Sequence, residues 1–290
     1  MISYSVGYLQ EMEGVMSRPW QEAKVWTFPG GEVGVNVEGI AKERGPFVNV
    51  KAQIQSSDDI MALLNVTEAI RAEMINPHMT LLLGYVPYAR QDRRCNPGDA
   101  FSLKVFANML NSAGYDRVIV VDPHSDATLH LINNVEVVRQ SSVFGGLLSR
   151  SEWEQYQLVA PDIGATKRTE DFAKKAGAAA VIRCNKKRDL QTGKIEGFEI
   201  LNPSDIDPEL PLLVIDDICD GGATFRSVSK ALREYSKVLP DLFVTHGIFS
   251  KGIDCLLDSF GCIYTSDTLP QKEHEALTVI PVEYSKAERL

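Results

Sequence analysis

Short runs of aliphatic residues alternate along the chain with segments whose apolar residues recur every three or four positions. Uninterrupted runs are typical of strands buried on both faces, and the recurring positions are typical of helices with one apolar face. The pattern predicts helices over residues 58–74, 102–113, 169–176 and 225–235, the second with Ser102 as its N-cap. It predicts strands over residues 80–85, 118–122, 157–161, 179–183, 212–217 and 243–249.

This alternation predicts an α/β fold in which mostly parallel sheets are flanked by helices. A strand ends in acidic residues in each half of the chain, which indicates two similar domains. We expect an N-terminal domain over residues 1–140 and a C-terminal domain over residues 141–274, with the tail at about 275–290 packed back on the first. Residues 24–40 carry a Gly-Gly pair before alternating valines and predict a hairpin.

Composition narrows the possible partners. The 290 residues are 44% hydrophobic and 24% charged, and the formal net charge of -9 argues against nucleic acid as a partner. No apolar run approaches the roughly 18 residues of a membrane span, and residues 1–20 lack the design of a signal peptide. The five cysteines are scattered and form no C-x-x-C pair, which favours a reducing compartment and no zinc site. We therefore expect a cytoplasmic protein without a membrane partner.

The strongest candidate chemistry lies in residues 211–225, which read PLLVIDDICDGGATF. A buried strand leads to Asp216 and Asp217, and a glycine turn then leads to a helix. Backbone N–H groups of such a turn and the helix N-terminus bind anions, whereas the two acids suit sugar hydroxyls or a metal ion. The segment predicts a phosphorylated sugar as ligand; the alternative is a solvated strand-to-helix turn.

Two further segments carry candidate residues in the first half. Residues 84–94 read GYVPYARQDRR, and their arginines suit a polyphosphate, although a basic loop is more often a solvated face. Residues 118–126 read VIVVDPHSD, where His124 beside two acids suits a divalent metal or a phosphate. A histidine near acids is also commonly structural.

Two segments of the second half add an acid and a cluster of cations. Residues 160–168 read APDIGATKR, in which Asp162 can orient a metal ion before a glycine turn, and the spacing excludes a Walker A loop. Residues 183–189 read RCNKKRD and predict a basic loop, over residues 184–198, that closes over phosphates. The alternative is a solvated, charged hairpin.

Taken in order, these segments resemble the phosphoribosyl pyrophosphate (PRPP) synthetases, the ribose-phosphate diphosphokinases. The resemblance runs from FPGGEVGVNV through YARQDRR, VDPHSD, APDIGATKR and NKKRD to DDICDGGAT and covers roughly residues 25–285. It implies two phosphoribosyltransferase-type domains, the first on the ATP side and the second binding ribose 5-phosphate. It also implies a Mg²⁺-dependent enzyme that makes PRPP and AMP from ATP and ribose 5-phosphate, and a homo-oligomer whose ATP site is shared between subunits.

The resemblance assigns roles to individual residues. The implied ATP-binding residues are Arg90, Gln91 and Asp92, joined by Phe28 and Glu32 of a neighbouring subunit. His124 and Asp162 contact Mg²⁺ or its water shell, and Lys186 and Arg188 stabilise the transferring group. Asp216 and Asp217 face the ribose hydroxyls, and the 5-phosphate is cradled by Asp220, Gly221, Gly222, Ala223 and Thr224.

The chain also departs from the family pattern. Gly30 stands where the family has an acid near adenine, and Asn185 replaces the acid before the catalytic lysine. Asn96, Pro97 and Gly98 occupy a stretch that carries regulatory arginines in many members. Two alternatives stay open: a phosphoribosyltransferase that consumes PRPP, and a catalytically silent regulatory subunit that resembles the synthetases.

Overall fold

Two open sheets form the framework, one in each of two compact units. Unit 1 comprises Met1–Arg139 with Glu283–Leu290, and unit 2 comprises Gln140–Val282. The computed structural model describes residues 1–7, 19–40, 45–188 and 195–289. None of the described helices is long and apolar enough to cross a membrane.

In the described residues of unit 1, six strands form a sheet. The amino-terminal strand pairs antiparallel with both of its neighbours, and the other neighbouring strands are parallel. This part of unit 1 has these six strands and two more that form a hairpin. In chain order they are β1 Ile2–Gly7, β2 Gln21–Glu22, β3 Lys24–Thr27, β4 Val33–Asn36, β5 Phe47–Ala52, β6 His78–Leu83, β7 Arg117–Val121 and β8 Val135–Val138. The helices are α1 Ser57–Glu73, α2 Ser102–Ser112 and α3 Ala127–Leu131. The sheet order is β2-β1-β5-β6-β7-β8, and β3 with β4 forms the predicted hairpin separately.

The described part of unit 2 contains a seven-stranded sheet that is parallel except at one edge. Its helices are α4 Gln140–Phe144, α5 Arg150–Trp153, α6 Ile163–Ala176 and α7 Ala223–Leu232. Its strands are β9 Gln157–Ala160, β10 Ala180–Arg188, β11 Ile195–Ile200, β12 Leu212–Cys219, β13 Asp241–Gly247, β14 Ile263–Ser266 and β15 Leu277–Ile280. Their order is β11-β10-β9-β12-β13-β14-β15, so β12 lies at the centre.

The predicted fold class is confirmed, because each unit is built on a mostly parallel sheet with helices packed on it. Central strands are buried along their whole length, as β9 is from Gln157 to Ala160. In unit 1 the apolar side chains of β5, β6 and β7 share one core with α1 and α2. Such burial on a parallel sheet explains why the apolar runs of β6 and β7 predicted strands.

Three of the differences from the predicted elements have an identifiable physical cause or involve a cap. The helix predicted from residue 169 begins at Ile163, because the Asp162 side chain accepts a hydrogen bond from the Ala165 amide at 3.1 Å and so caps it. The strand predicted to end at residue 183 continues to Arg188, because β11 pairs with this extension. Ser102 is the first residue of α2 rather than its N-cap, which is Phe101 and makes no side-chain capping bond.

The chain terminus returns to the sheet of unit 1. Glu288 forms an antiparallel bridge with Val137 of β8, and Arg289 Nε donates to Glu136 Oε1 at 2.9 Å. Burial opposes ionisation of Glu136, but Arg117 and Arg289 hold its pKa below the ordinary value. β15 lies in the sheet of unit 2, so the segment that contacts unit 1 begins at Glu283 rather than near residue 275.

Candidate active site

The two acids of the central motif lie within strand β12 of unit 2, which continues two residues beyond the end predicted at residue 217. The strand continues beyond them because Ile218 pairs with His246, and Cys219 with Gly247, on β13. The side chain of Asp216 is 17% exposed and that of Asp217 only 6%. Two carboxylates held this close in a largely buried place require a compensating charge.

Arg168 of α6 supplies that charge. Its Nη1 lies 3.1 Å from Asp217 Oδ1 and 3.7 Å from Asp216 Oδ1. Burial and the neighbouring Asp217 raise the pKa of Asp216 well above its usual value, and Arg168 acts against both. No sequence signal indicated a role for Arg168, because the predicted helix began at residue 169 and so excluded it. The capping signal of Asp162 was the feature that would have placed Arg168 on a helix.

Gln140, the first residue of α4, fixes the backbone at the same place. Its Nε2 donates to the Asp216 carbonyl at 2.8 Å and to Thr245 Oγ1 on β13 at 3.1 Å. The side chain is almost completely buried. Gln140 therefore ties the acidic pair to the neighbouring strand, and its sequence surroundings gave no signal of this contact.

The glycine turn after β12 consists of Asp220, Gly221 and Gly222, and α7 begins directly at Ala223. Gly222 is the N-cap of α7 and has φ 73°, in the left-handed region. Among the described residues, no side chain caps this helix start, so its first amides are left for solvent or a ligand. Burial raises the pKa of the Cys219 thiol beside the turn to about 12, so this thiol adds no negative charge. The glycine turn leads directly into a helix, as the sequence predicted, and its binding of an anion stays a prediction.

Gly222→Ala tests whether this turn tolerates a side chain. An added Cβ would lie 2.7 Å from Leu256 Cδ2 in a backbone conformation with φ 73°. The left-handed conformation costs about 1–2 kcal/mol and overpacking about 1–3 kcal/mol, so the thermal midpoint should fall by about 5 °C or more. Circular dichroism measures the change. The control is Gly146→Ala, where no atom lies within 4 Å of the added Cβ; equal midpoints for both variants would contradict the expectation.

In unit 1 the predicted ATP-binding loop follows β6. Gln91 N donates to the Tyr88 carbonyl at 2.8 Å, and the Gln91 carbonyl accepts from Leu103 N of α2 at 3.3 Å. Tyr88 has φ 59°. Arg90 and Gln91 are exposed, and Asp92 is half-buried. The loop is thus anchored at its centre while its polar side chains reach the surface.

The segment with His124 follows the adjacent strand β7. Val121 N donates to the Gly84 carbonyl at 3.2 Å, which joins the end of β7 to the start of the arginine loop. Asp122 is buried with φ 38°, and His124 is half-buried. The carboxyl ends of neighbouring parallel strands therefore bring the two predicted segments to one edge of this sheet.

The hairpin of unit 1 presents two aromatic side chains. Phe28 is 48% exposed and Trp26 43%, and their rings meet edge to face at 5.7 Å. Trp26 lies against Gly34, where an added Cβ would stand 2.4 Å from the indole ring. Glu32 is exposed on the same hairpin, and its carbonyl accepts from Phe28 N at 2.8 Å.

Lys186 and Arg188 lie on β10 at the edge of the unit 2 sheet. Lys186 pairs with Phe198 and Arg188 with Ile195, and the register shifts between Lys187 and Arg188. The loop predicted over residues 184–198 is therefore wrong at both ends, because backbone pairing with β11 extends the strand despite its polar sequence. Residues 189–194, the centre of that loop, lie outside the described residues.

Comparisons with known proteins agree with the resemblance inferred from the sequence. Residues 7–114 match the family model of the N-terminal domain of ribose phosphate pyrophosphokinase. A ribose-phosphate pyrophosphokinase of Campylobacter jejuni is 28% identical over 97% of this chain and 91% of its own length. Another, of Hyphomonas neptunium, is also 28% identical, over 90% of this chain and 84% of its own.

The fold has a close counterpart among solved structures. The phosphoribosylpyrophosphate synthetase of Mycobacterium smegmatis matches with a TM-score of 0.75, over 90% of this chain and 86% of that one, at 22% identity. This likeness concerns the fold. The family model and the curated relatives confirm the predicted resemblance to the ribose-phosphate pyrophosphokinases, to which this chain is similar at 28% identity.

Proposed function

Because the chain is related over most of its length to the ribose-phosphate pyrophosphokinases, we propose that it makes PRPP. The substrates are ATP and ribose 5-phosphate, and the products are PRPP and AMP. The C1 hydroxyl oxygen of the sugar attacks the β-phosphorus of ATP. The bond from that phosphorus to the AMP oxygen breaks, and the hydroxyl proton is released.

The observation that carries the proposal is the order of groups along β12 and α7. Two carboxylates come first, then a glycine turn, then an uncapped helix start. Asp216 and Asp217 accept hydrogen bonds from the ribose hydroxyls, and Arg168, which contacts both side chains, offsets part of their charge. The 5-phosphate binds to the amides of Asp220, Gly221, Gly222, Ala223 and Thr224.

The nucleotide binds to residues of unit 1. Arg90 and Gln91 contact its phosphates, since guanidinium groups suit polyphosphates, and Asp92 supports the loop. Phe28 and Glu32 reach the adenine from a neighbouring subunit of a homo-oligomer. The exposure of Phe28, which is 48%, supports that assignment.

Mg²⁺ fits the donors that the chain offers. The described residues contain no group of three or more His, Cys, Asp or Glu side chains that could hold a metal ion. Mg²⁺ is commonly held by one or two carboxylates together with substrate phosphates, so His124 of unit 1 and Asp162 of unit 2 are each assigned a contact with Mg²⁺ or with its water shell. When bound, Mg²⁺ neutralises charge on the phosphate oxygens.

The charge that develops on the transferring group is stabilised by Lys186 and Arg188. No covalent nucleophile is needed, because phosphoryl-type transfer depends on in-line positioning and charge neutralisation. A cytoplasmic location follows from the reducing compartment that the scattered cysteines favour.

Phosphorus NMR of the purified protein with Mg·ATP and ribose 5-phosphate tests the function. We expect AMP and PRPP to appear in equal amounts with no base present, because a diphosphoryl transferase needs none. A phosphoribosyltransferase would instead consume added PRPP only with a base. If no PRPP forms with several metals and at several phosphate concentrations, the proposed function is wrong, and the result favours the alternative of a catalytically silent regulatory subunit.

A further inference from the structure

A short segment after β13 packs directly on the glycine turn of unit 2. This segment, residues 248–252, is tied to the turn by backbone and side-chain hydrogen bonds. The amides of Ile248 and Phe249 donate to the Cys219 carbonyl at 2.9 and 3.1 Å. Ser250 N donates to the Asp220 carbonyl at 3.2 Å, and its Oγ donates to Asp220 Oδ1 at 2.6 Å.

Lys251 lies at the tip of this segment, alongside Gly221. Its Cδ and Cε both stand 3.5 Å from the point where a Cβ of Gly221 would be, and its Cγ stands 3.7 Å away. A C–N single bond spans about 1.45 Å, so Nζ lies within about 5 Å of the same point. The residue is exposed, and the described residues offer its ammonium no ion pair.

The turn needs a cation if it is to hold a phosphate monoester. Such a group carries a charge of about -1.5 to -2 at neutral pH, whereas a helix N-terminus supplies only about half a positive charge. The turn itself adds Asp220, whose carboxylate accepts from Ser250. Arg168 is engaged by Asp216 and Asp217 and does not supply this charge.

We propose that Lys251 binds the 5-phosphate of the sugar and sets the preference for phosphorylated over unphosphorylated ribose. The inference rests on the proposed function, because it concerns the same sugar-phosphate site. The methylenes run alongside Gly221, with Cδ and Cε 3.5 Å from the position of a Cβ there, and the ammonium meets the phosphate as a point charge. The segment 248–252 acts as the second wall of the phosphate loop.

Three substitutions separate charge from packing. Lys251→Met keeps the unbranched stem and removes the charge, Lys251→Arg keeps a charge, and Lys251→Ala removes both. Calorimetry measures ribose 5-phosphate binding in the presence of Mg²⁺ and a non-hydrolysable ATP analogue, with unphosphorylated ribose as the second ligand. The matched control is Lys237→Met, which removes an exposed lysine of the same unit.

We expect Lys251→Met to weaken ribose 5-phosphate binding about tenfold, as for loss of about 1.4 kcal/mol. Binding of unphosphorylated ribose should not change, and Lys251→Arg should stay within a few-fold of the wild type. The proposal is overturned if Lys251→Met binds as the wild type does, if only Lys251→Ala is impaired, or if the wild type does not bind the sugar phosphate.

The same variants in the phosphorus NMR assay keep the two proposals apart. If the Lys251→Met enzyme forms PRPP with an unchanged KM for ribose 5-phosphate, the proposed function stands and Lys251 has no part in binding the sugar phosphate. If the wild type binds the sugar phosphate through Lys251 but makes no PRPP, the binding role of Lys251 stands and the proposed function is wrong.

Discussion

Lys186→Ala should lower kcat for PRPP formation about 100-fold or more, with little change in either KM. Removing one group that stabilises developing charge commonly costs a factor of about 10²–10³ in kcat, because that charge is greatest in the transition state. Initial rates measured over a range of both substrates separate kcat from the two KM values.

Lys187→Ala is the matched control, since it removes the same charge from the adjacent position of β10. The control should retain most of its activity. If Lys186→Ala keeps near-normal turnover, or if both variants lose activity equally, Lys186 has no specific part in the chemistry. Equal thermal midpoints of the variants exclude an effect that acts through unfolding.

Arg168→Met should destabilise the protein by about 3 kcal/mol near neutral pH, because breaking a buried ion pair leaves uncompensated charge. It should also raise the KM for ribose 5-phosphate about tenfold, corresponding to about 1.4 kcal/mol. Both effects have one cause, which is that Arg168 contacts both Asp216 and Asp217, the acids proposed to bind the sugar. Denaturant unfolding and initial rates provide the two measurements.

The pH dependence distinguishes this ion pair from ordinary packing. Burial and Asp217 raise the folded-state pKa of Asp216, with Arg168 opposing them. Stability from such a group is fully present below the unfolded pKa of about 3.9 and is lost as pH rises through the folded pKa. Removing Arg168 raises that folded pKa further. The deficit of Arg168→Met relative to the wild type should therefore be small near about pH 4 and larger at neutral pH.

Two controls accompany Arg168→Met. Lys167→Met removes an exposed charge from the preceding residue of α6 and should change neither stability nor KM. Adding Asp217→Asn to Arg168→Met should restore part of the lost stability, because one of the two repelling carboxylates is gone. A deficit that does not vary with pH, or that Asp217→Asn fails to relieve, would contradict the role given to the ion pair.

The fold was largely predictable because its central strands are buried on both faces. β6, β9 and β12 each contain a run of apolar residues for that reason, and helix α1 shows its apolar face at helical spacing. The errors fall where backbone pairing or capping outweighs composition. β10 extends through charged residues because β11 pairs with it, and α6 begins early because Asp162 caps it.

The sequence by itself determined which residue types follow each strand, and hence the acids, the glycine turn and the arginine loop as candidates. Local chemistry was sufficient there, because a turn with Gly222 at φ 73° and a helix start can be recognised within a few residues. Only the tertiary structure decided which residues of other elements contact the acids and the glycine turn. Arg168, Gln140 and Lys251 reach the acidic pair and the glycine turn from other elements, and contacts between residues distant in sequence leave no periodic signal along the chain.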